Sequence, residues 1–134
     1  MKILLDEQLS TDLIPYFPSS FQVFMPKDLG WSGYSNGLLR EKLNERKFSF
    51  LVSADKNIPF QQNFNKMNYT FIQLDTPSLE WDDQIFFVNK TIQFLSNLPD
   101  PLPKLLWLNV EGFASFKKME VIYKILPPDQ ILFM

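Results

Sequence analysis

The chain has 134 residues, 46% of them apolar and 14 of them Phe, so one packed globular domain is expected and a disordered chain is not. Its formal net charge of −2 excludes broad attraction to polyanions, so any nucleic-acid contact has to be local. With no Cys and no His, disulfides, thiolate nucleophiles and imidazole-based catalysis are excluded. Carboxylate, lysine or hydroxyl chemistry is left, together with hard, oxygen-liking cations such as Mg²⁺ or Mn²⁺.

In chain order, KILL at residues 2–5 reads as a buried strand that ends at two adjacent carboxylates, Asp6 and Glu7. Because Asp6 interrupts this run, no signal peptide is expected, and no stretch approaches the roughly 18 apolar residues of a membrane span. A cytoplasmic protein with no membrane contact is the expectation. STDLIPYF offers a Ser10 or Thr11 cap before a short helix interrupted by Pro15 and Pro18. FQVFM alternates like a strand, and the Gly-containing loop PKDLGWSGY leads into SNGLLREKLNERK, where Leu39 and Leu43 stand at helical spacing. FSFLVSAD reads as a strand ending in Asp55, NIPFQQNFNKM as a short helix or turn, and YTFIQLD as a strand ending in Asp75.

The longest helical pattern is TPSLEWDDQIFFVNKTIQFLSNL, with Ile85, Val88, Ile92 and Leu95 in phase and start signals at Thr76-Pro77-Ser78. The Pro-rich PDPLPKL ends it. LLWLNV, MEVIYKIL and QILFM then read as strands joined by turns at Glu111-Gly112 and Pro127-Pro128. The alternation predicts an α/β fold with a mostly parallel central sheet, in one domain over 1–134. Residues 1–98 form its α/β core, and 99–134 a strand-rich extension added at an edge or used in an oligomer contact.

In such a sheet the ligand crevice lies at the carboxyl ends of the strands, where Asp6, Asp55 and Asp75 are expected to gather. Clustered acids repel one another unless a cation sits among them, which points to a Mg²⁺ or Mn²⁺ site. The competing reading is that an Asp after a strand only turns the chain or caps the next helix. Thr76-Pro77 makes capping the preferred role for Asp75. Arg40, Lys42, Arg46 and Lys47 could meet RNA phosphates, as could Lys56. Glu41 and Glu45 interleave with the helical cations, which favours a solvated face. The aromatics Trp107, Phe113, Phe116, Tyr123 and Phe133 suit core or homodimer packing better than base stacking, and Trp31 suits a loop anchor better than a lid.

KILLDEQLS followed by FQVFMPKDLGWSGYSNGLLREKLNERKFSFLVSADKNI resembles the PIN-like family of small prokaryotic proteins. The members often accompany short antitoxin-like partners. The resemblance covers about residues 1–75 and implies a three-layer fold, with helices on both faces of the sheet. It also implies a metal-dependent ribonuclease, a candidate toxin of a toxin–antitoxin pair, in which acids hold Mg²⁺ or Mn²⁺ and the metal activates water against a phosphodiester of an RNA substrate. Carried over, Asp6 is the first metal-binding acid, Glu7 its neighbour and Asp55 the acid of the T-x-D segment. The pattern departs at Asn36 and Asn57, which stand where the family has acids, and at Ser53, which stands for Thr. Asn36 shares its helical phase with Leu39 and Leu43 and is expected to offer a neutral oxygen, while Asp75 could compensate by geometry. Two alternatives stay open: a PIN-like binding module with a decayed site, and a receiver-like phosphoacceptor, for which Asp6, Glu7 and Asp55 are also suitably spaced. LLWLN, ending in Asn109 rather than Lys, speaks against the second.

Overall fold

The computed structural model describes residues 1–56 and 66–110, and 113–116 as backbone. Six strands, β1 (Lys2–Leu5), β2 (Gln22–Phe24), β3 (Phe50–Ser53), β4 (Thr70–Leu74), β5 (Leu105–Leu108) and β6 (Phe113–Phe116), form one sheet in the order β2-β1-β3-β4-β5-β6. The first five run parallel and β6 is antiparallel at the edge. The α/β expectation is met. LLWL, however, is not part of an appended edge: β5 pairs with β4 through Phe71↔Leu105 to Leu74↔Leu108 as the fifth parallel strand. The Pro-rich stretch before it is the return loop of a helical crossover, the kind of connection parallel strands require. β6 falls on FASF, which the sequence does not mark as a strand. The readings over 57–65, MEVIYKIL, QILFM and both turns fall outside the described residues, as do the side chains of Phe113, Phe116, Tyr123 and Phe133.

The central strands are mostly apolar because alternate residues enter two different clusters. Leu4, Leu51, Phe71, Leu105 and Trp107 pack with Leu39 and Leu43 of α1 (Asn36–Glu45). Ile3, Leu5, Val52, Ile72 and Leu106 pack with Phe87 and Val88 of α2 (Trp81–Leu95) and with Leu13 of the 3₁₀ turn Thr11–Tyr16. The buried face of α2 differs from the predicted stripe: Phe87, Val88, Thr91, Phe94 and Leu95 are buried, while Ile85 and Ile92 are only half-buried. Thr91 is tolerated there because its hydroxyl donates to the Phe87 carbonyl at 2.9 Å. Gln84, also buried, ties the 3₁₀ turn to α2 by accepting from the Ser10 amide at 2.9 Å.

Ser35 caps α1, its hydroxyl accepting from the Leu38 amide at 3.2 Å. The other end closes through Lys47 N–H to the Asn44 carbonyl and Phe48 N–H to the Leu43 carbonyl, at 3.2 and 3.0 Å. That closure puts Lys47 at φ 57°, the left-handed region usually given to Gly after a helix. Lys47→Gly should therefore stabilise the protein by about 0.5–1 kcal/mol, read as a higher denaturant midpoint with an unchanged m-value. Among the described residues no helix is long and apolar enough to cross a membrane.

Candidate active site

β1 has β2 on one side and β3 on the other, so the chain leaves β1 in one direction and returns across it. The gap above β1 and β3 is thus a topological switch point, the place where open α/β sheets bind ligands. The Asp6 amide closes onto the Val52 carbonyl at 2.9 Å, which places its side chain at the mouth of this gap. Asp6, Glu7, Asn36 and Asp55 all line one cavity of about 120 Å³ there, with Trp31 and Tyr34 on its wall. Three sequence-distant segments therefore bring oxygen atoms to one recess: two are the strand ends at Asp6 and Asp55, and the third is the helix start at Asn36.

Asp6 is the buried member, 9% exposed. Its Oδ1 accepts from the Glu7 amide at 2.8 Å and its Oδ2 from the Ser53 hydroxyl at 2.7 Å. Burial pushes its pKa above the ordinary 3.8, and the nearby charges of Glu7 and Asp55 push the same way against those two hydrogen bonds. Ser53 also holds the second aspartate, because its Oγ accepts from the Asp55 amide at 3.0 Å. One hydroxyl thus sets both acids. Ser53→Ala should leave Asp6 Oδ2 without a donor and the Asp55 loop without its anchor, a loss of about 1–3 kcal/mol. Ser53→Thr, which keeps the hydroxyl, should recover most of it; equal denaturation midpoints for Ala and Thr would remove the positioning role.

The facing wall is set by glycines and a cap. Gly30 at φ 73° ends the 3₁₀ turn Pro26–Leu29, and Gly33 at φ 78° turns the chain again. A Cβ at either would meet open space, so backbone conformation rather than room demands glycine. Between them the Trp31 amide donates to the Pro26 carbonyl at 2.8 Å and the Tyr34 amide to the Trp31 carbonyl at 3.2 Å. Trp31 is buried and packs on Phe48, so the loop-anchor reading holds. Asn36 opens α1 on the same side as Leu39, and both reach the cavity.

Asp75 is not brought into this group. Its Oδ1 pairs with Lys56 Nζ at 2.8 Å, and its Oδ2 accepts from Trp107 Nε1 at 3.2 Å. Nor does it cap α2, whose N-cap is Glu80; Thr76 and Ser78 shape that entry instead. Lys56 is accordingly committed to Asp75. Arg40 lies half-buried on α1, where its charge acts on the Tyr69 hydroxyl, and it does not line the cavity. Asn57 falls outside the described residues.

Sequence reasoning missed Tyr34, Lys27 and Gln73. Gln73 is fully buried beside Ser53, donates through Nε2 to the Ser53 carbonyl at 3.4 Å, and has an Oε1 with no hydrogen-bond partner among the described residues. A polar residue inside the apolar run YTFIQL was the available signal. Lys27 lines a second recess of about 390 Å³ with Ser10, Thr11 and Ser32, and the two recesses share Glu7.

Among the described residues no three acids converge as a metal-binding group. Asp6 and Asp55 still supply two carboxylates, with Asn36 a neutral oxygen on the facing wall. That donor set suits Mg²⁺, which is commonly held by one or two carboxylates and keeps several waters. Comparison with family models, curated proteins and solved structures returns no match.

Proposed function

We propose that the protein is a PIN-like ribonuclease dependent on Mg²⁺ or Mn²⁺, with a helical layer on each side of its sheet and the reaction centre at Asp6 and Asp55. The observation that carries the reading is the buried Asp6 carboxyl, which meets Glu7 and Asp55 in one oxygen-lined recess with no cationic side chain on its wall among the described residues. A divalent ion would offset the charge that these acids bring to the recess. When bound, such an ion lowers the pKa of a coordinated water and offsets phosphate charge. Asp6, fixed by Ser53 and the Glu7 amide, and Asp55 would hold the ion. Glu7, exposed at the rim, is placed to take a proton from water, which matters in a chain without imidazole. An RNA strand leaving this recess past Glu7 would meet Lys27 and the hydroxyls of Ser10, Thr11 and Ser32, contacts of the type that hold a phosphate backbone.

Calorimetric titration with Mn²⁺ and Mg²⁺ tests the reading. Sub-millimolar binding that is lost in Asp55→Asn, accompanied by Mn²⁺-dependent cleavage of RNA, supports it. Absence of binding at several millimolar removes the nuclease and leaves the PIN-like binding module.

The strand order favours one other reading. With β1 between β2 and β3, Asp55 follows the third strand of a 2-1-3-4-5 sheet beside Asp6 and Glu7, as a receiver-like phosphoacceptor needs. β5 is followed by Asn109 rather than Lys, and Lys56 is taken by Asp75. Incubation with acetyl phosphate separates the readings: a phosphoryl mass increment on Asp55 would establish the receiver, and an unchanged mass would remove it.

A further inference from the structure

The Trp31–Tyr34 pair is not explained by the acid chemistry. The two rings are nearly parallel, 16° between planes with centroids 6.4 Å apart, and both line the recess that holds Asp6 and Asp55. They differ in burial. Trp31 is 6% exposed and packs on Phe48 with ring centroids 5.7 Å apart, whereas Tyr34 is half-buried and packs against the edge of the same cluster. A core that needed only a loop anchor has it in Trp31. The second ring extends the stack outward from a fixed base, next to the acids, on a backbone that turns sharply at Gly30 and Gly33.

We infer that Tyr34, backed by Trp31, is a base-stacking platform that positions the nucleotide beside the bond to be cut. This rests on the nuclease reading for the identity of the ligand, and it adds the residue that grips the base. Every base has a π-face, so the platform selects for an unpaired base at that position and not for a sequence. The recess agrees with this. At about 120 Å³, with Asp6 recessed, it is too small to take a duplex, which suits a single strand. Among the described residues its wall carries no Lys or Arg, so aromatic contact supplies the hold that charge does not.

The test uses the full chain and a 12-nucleotide single-stranded RNA carrying one 2-aminopurine, whose fluorescence falls on stacking. The wild-type protein should quench the probe, and Tyr34→Ala should bind it about ten- to a hundred-fold more weakly with the quench lost, the effect of one base–aromatic stack. Tyr34→Phe should restore both, which excludes a folding defect as the cause. With cleavable RNA the Ala loss should fall mainly on KM. Asp6→Asn should keep the quench while losing cleavage.

Equal affinity and equal quench in wild type and Tyr34→Ala would overturn the platform without touching the metal site. Quench that depends on Tyr34 in a protein that neither binds Mn²⁺ nor cleaves RNA would uphold the platform and sink the nuclease reading. A wild-type protein that leaves the probe unbound would overturn the platform outright.

Discussion

Asp6→Asn is expected to raise the melting temperature of the metal-free protein at pH 7 and to abolish its metal response and its RNA cleavage. The carboxyl is 9% exposed and faces two further acids, and its pKa in the fold lies above its ordinary value. In the pH window between the ordinary value of 3.8 and the raised one, the folded protein holds a proton that the unfolded chain has released. Stability from the protonated form is therefore present at low pH and lost as pH rises through the folded pKa. Above the folded pKa the ionised Asp6 is a charge that costs the fold stability.

Asn keeps an oxygen for the Glu7 amide at the Oδ1 position and places an N–H toward Ser53 Oγ, which has lone pairs to accept it. The gain should fall in the roughly 0.5–2 kcal/mol that stabilising substitutions give at functional positions, and it should vanish near pH 3. Mn²⁺ should raise the melting temperature of the native protein but not of the variant, and cleavage should fall by more than about a hundred-fold. A variant that is less stable than the native protein at pH 7, or equally responsive to Mn²⁺, would remove Asp6 from the metal site.

That pairing of instability with function also marks what the sequence could and could not reveal. The strand ends were legible because a parallel strand buried on both faces is an unbroken apolar run, and an acid stops it: KILL before Asp6 and FLVSA before Asp55 needed no three-dimensional information. Their convergence followed from parallel order, which alternating strands and helices imply. Asp75 was misjudged because its role depends on Trp107, which lies 32 residues further along the chain, and on Lys56. A strand-end acid read locally can only be a cap or a ligand. Tyr34 was overlooked because a lone aromatic in a Gly-containing loop carries no period, and its meaning comes from Trp31 beneath it. The face of α2 was only partly legible for a related reason: Val88 and Leu95 are buried as expected, while Ile85 and Ile92 lie half-buried at its margin. Ile85 and Ile92 are as apolar as Phe87 and Phe94, and only the sheet decides which stripe is covered.

Asn36→Asp supplies the opposite experiment, a gain of function by one charge. Asn36 lies on the wall facing Asp6 and Asp55, at the first position of α1 after the Ser35 cap. A carboxylate there would add a charged oxygen opposite Asp6 and Asp55, where no three acids among the described residues are grouped to hold a metal. Two effects on metal-free stability oppose each other: repulsion from Asp6 and Asp55, and attraction to the helix N-terminus of about 0.3–1 kcal/mol. They should nearly cancel, leaving the melting temperature of the metal-free variant within a few degrees of the native one. With a divalent ion bound the repulsion turns to attraction, so Mn²⁺ affinity should rise about ten- to a hundred-fold, and cleavage at low Mn²⁺ should rise with it. Calorimetry on the variant decides between the two accounts of this position. A tighter Mn²⁺ site means that Asn36 is a weakened ligand in a working centre. An unchanged affinity with a lower melting temperature means that Asn36 serves the fold of α1 alone, and that the recess binds its ion through Asp6 and Asp55 without that wall.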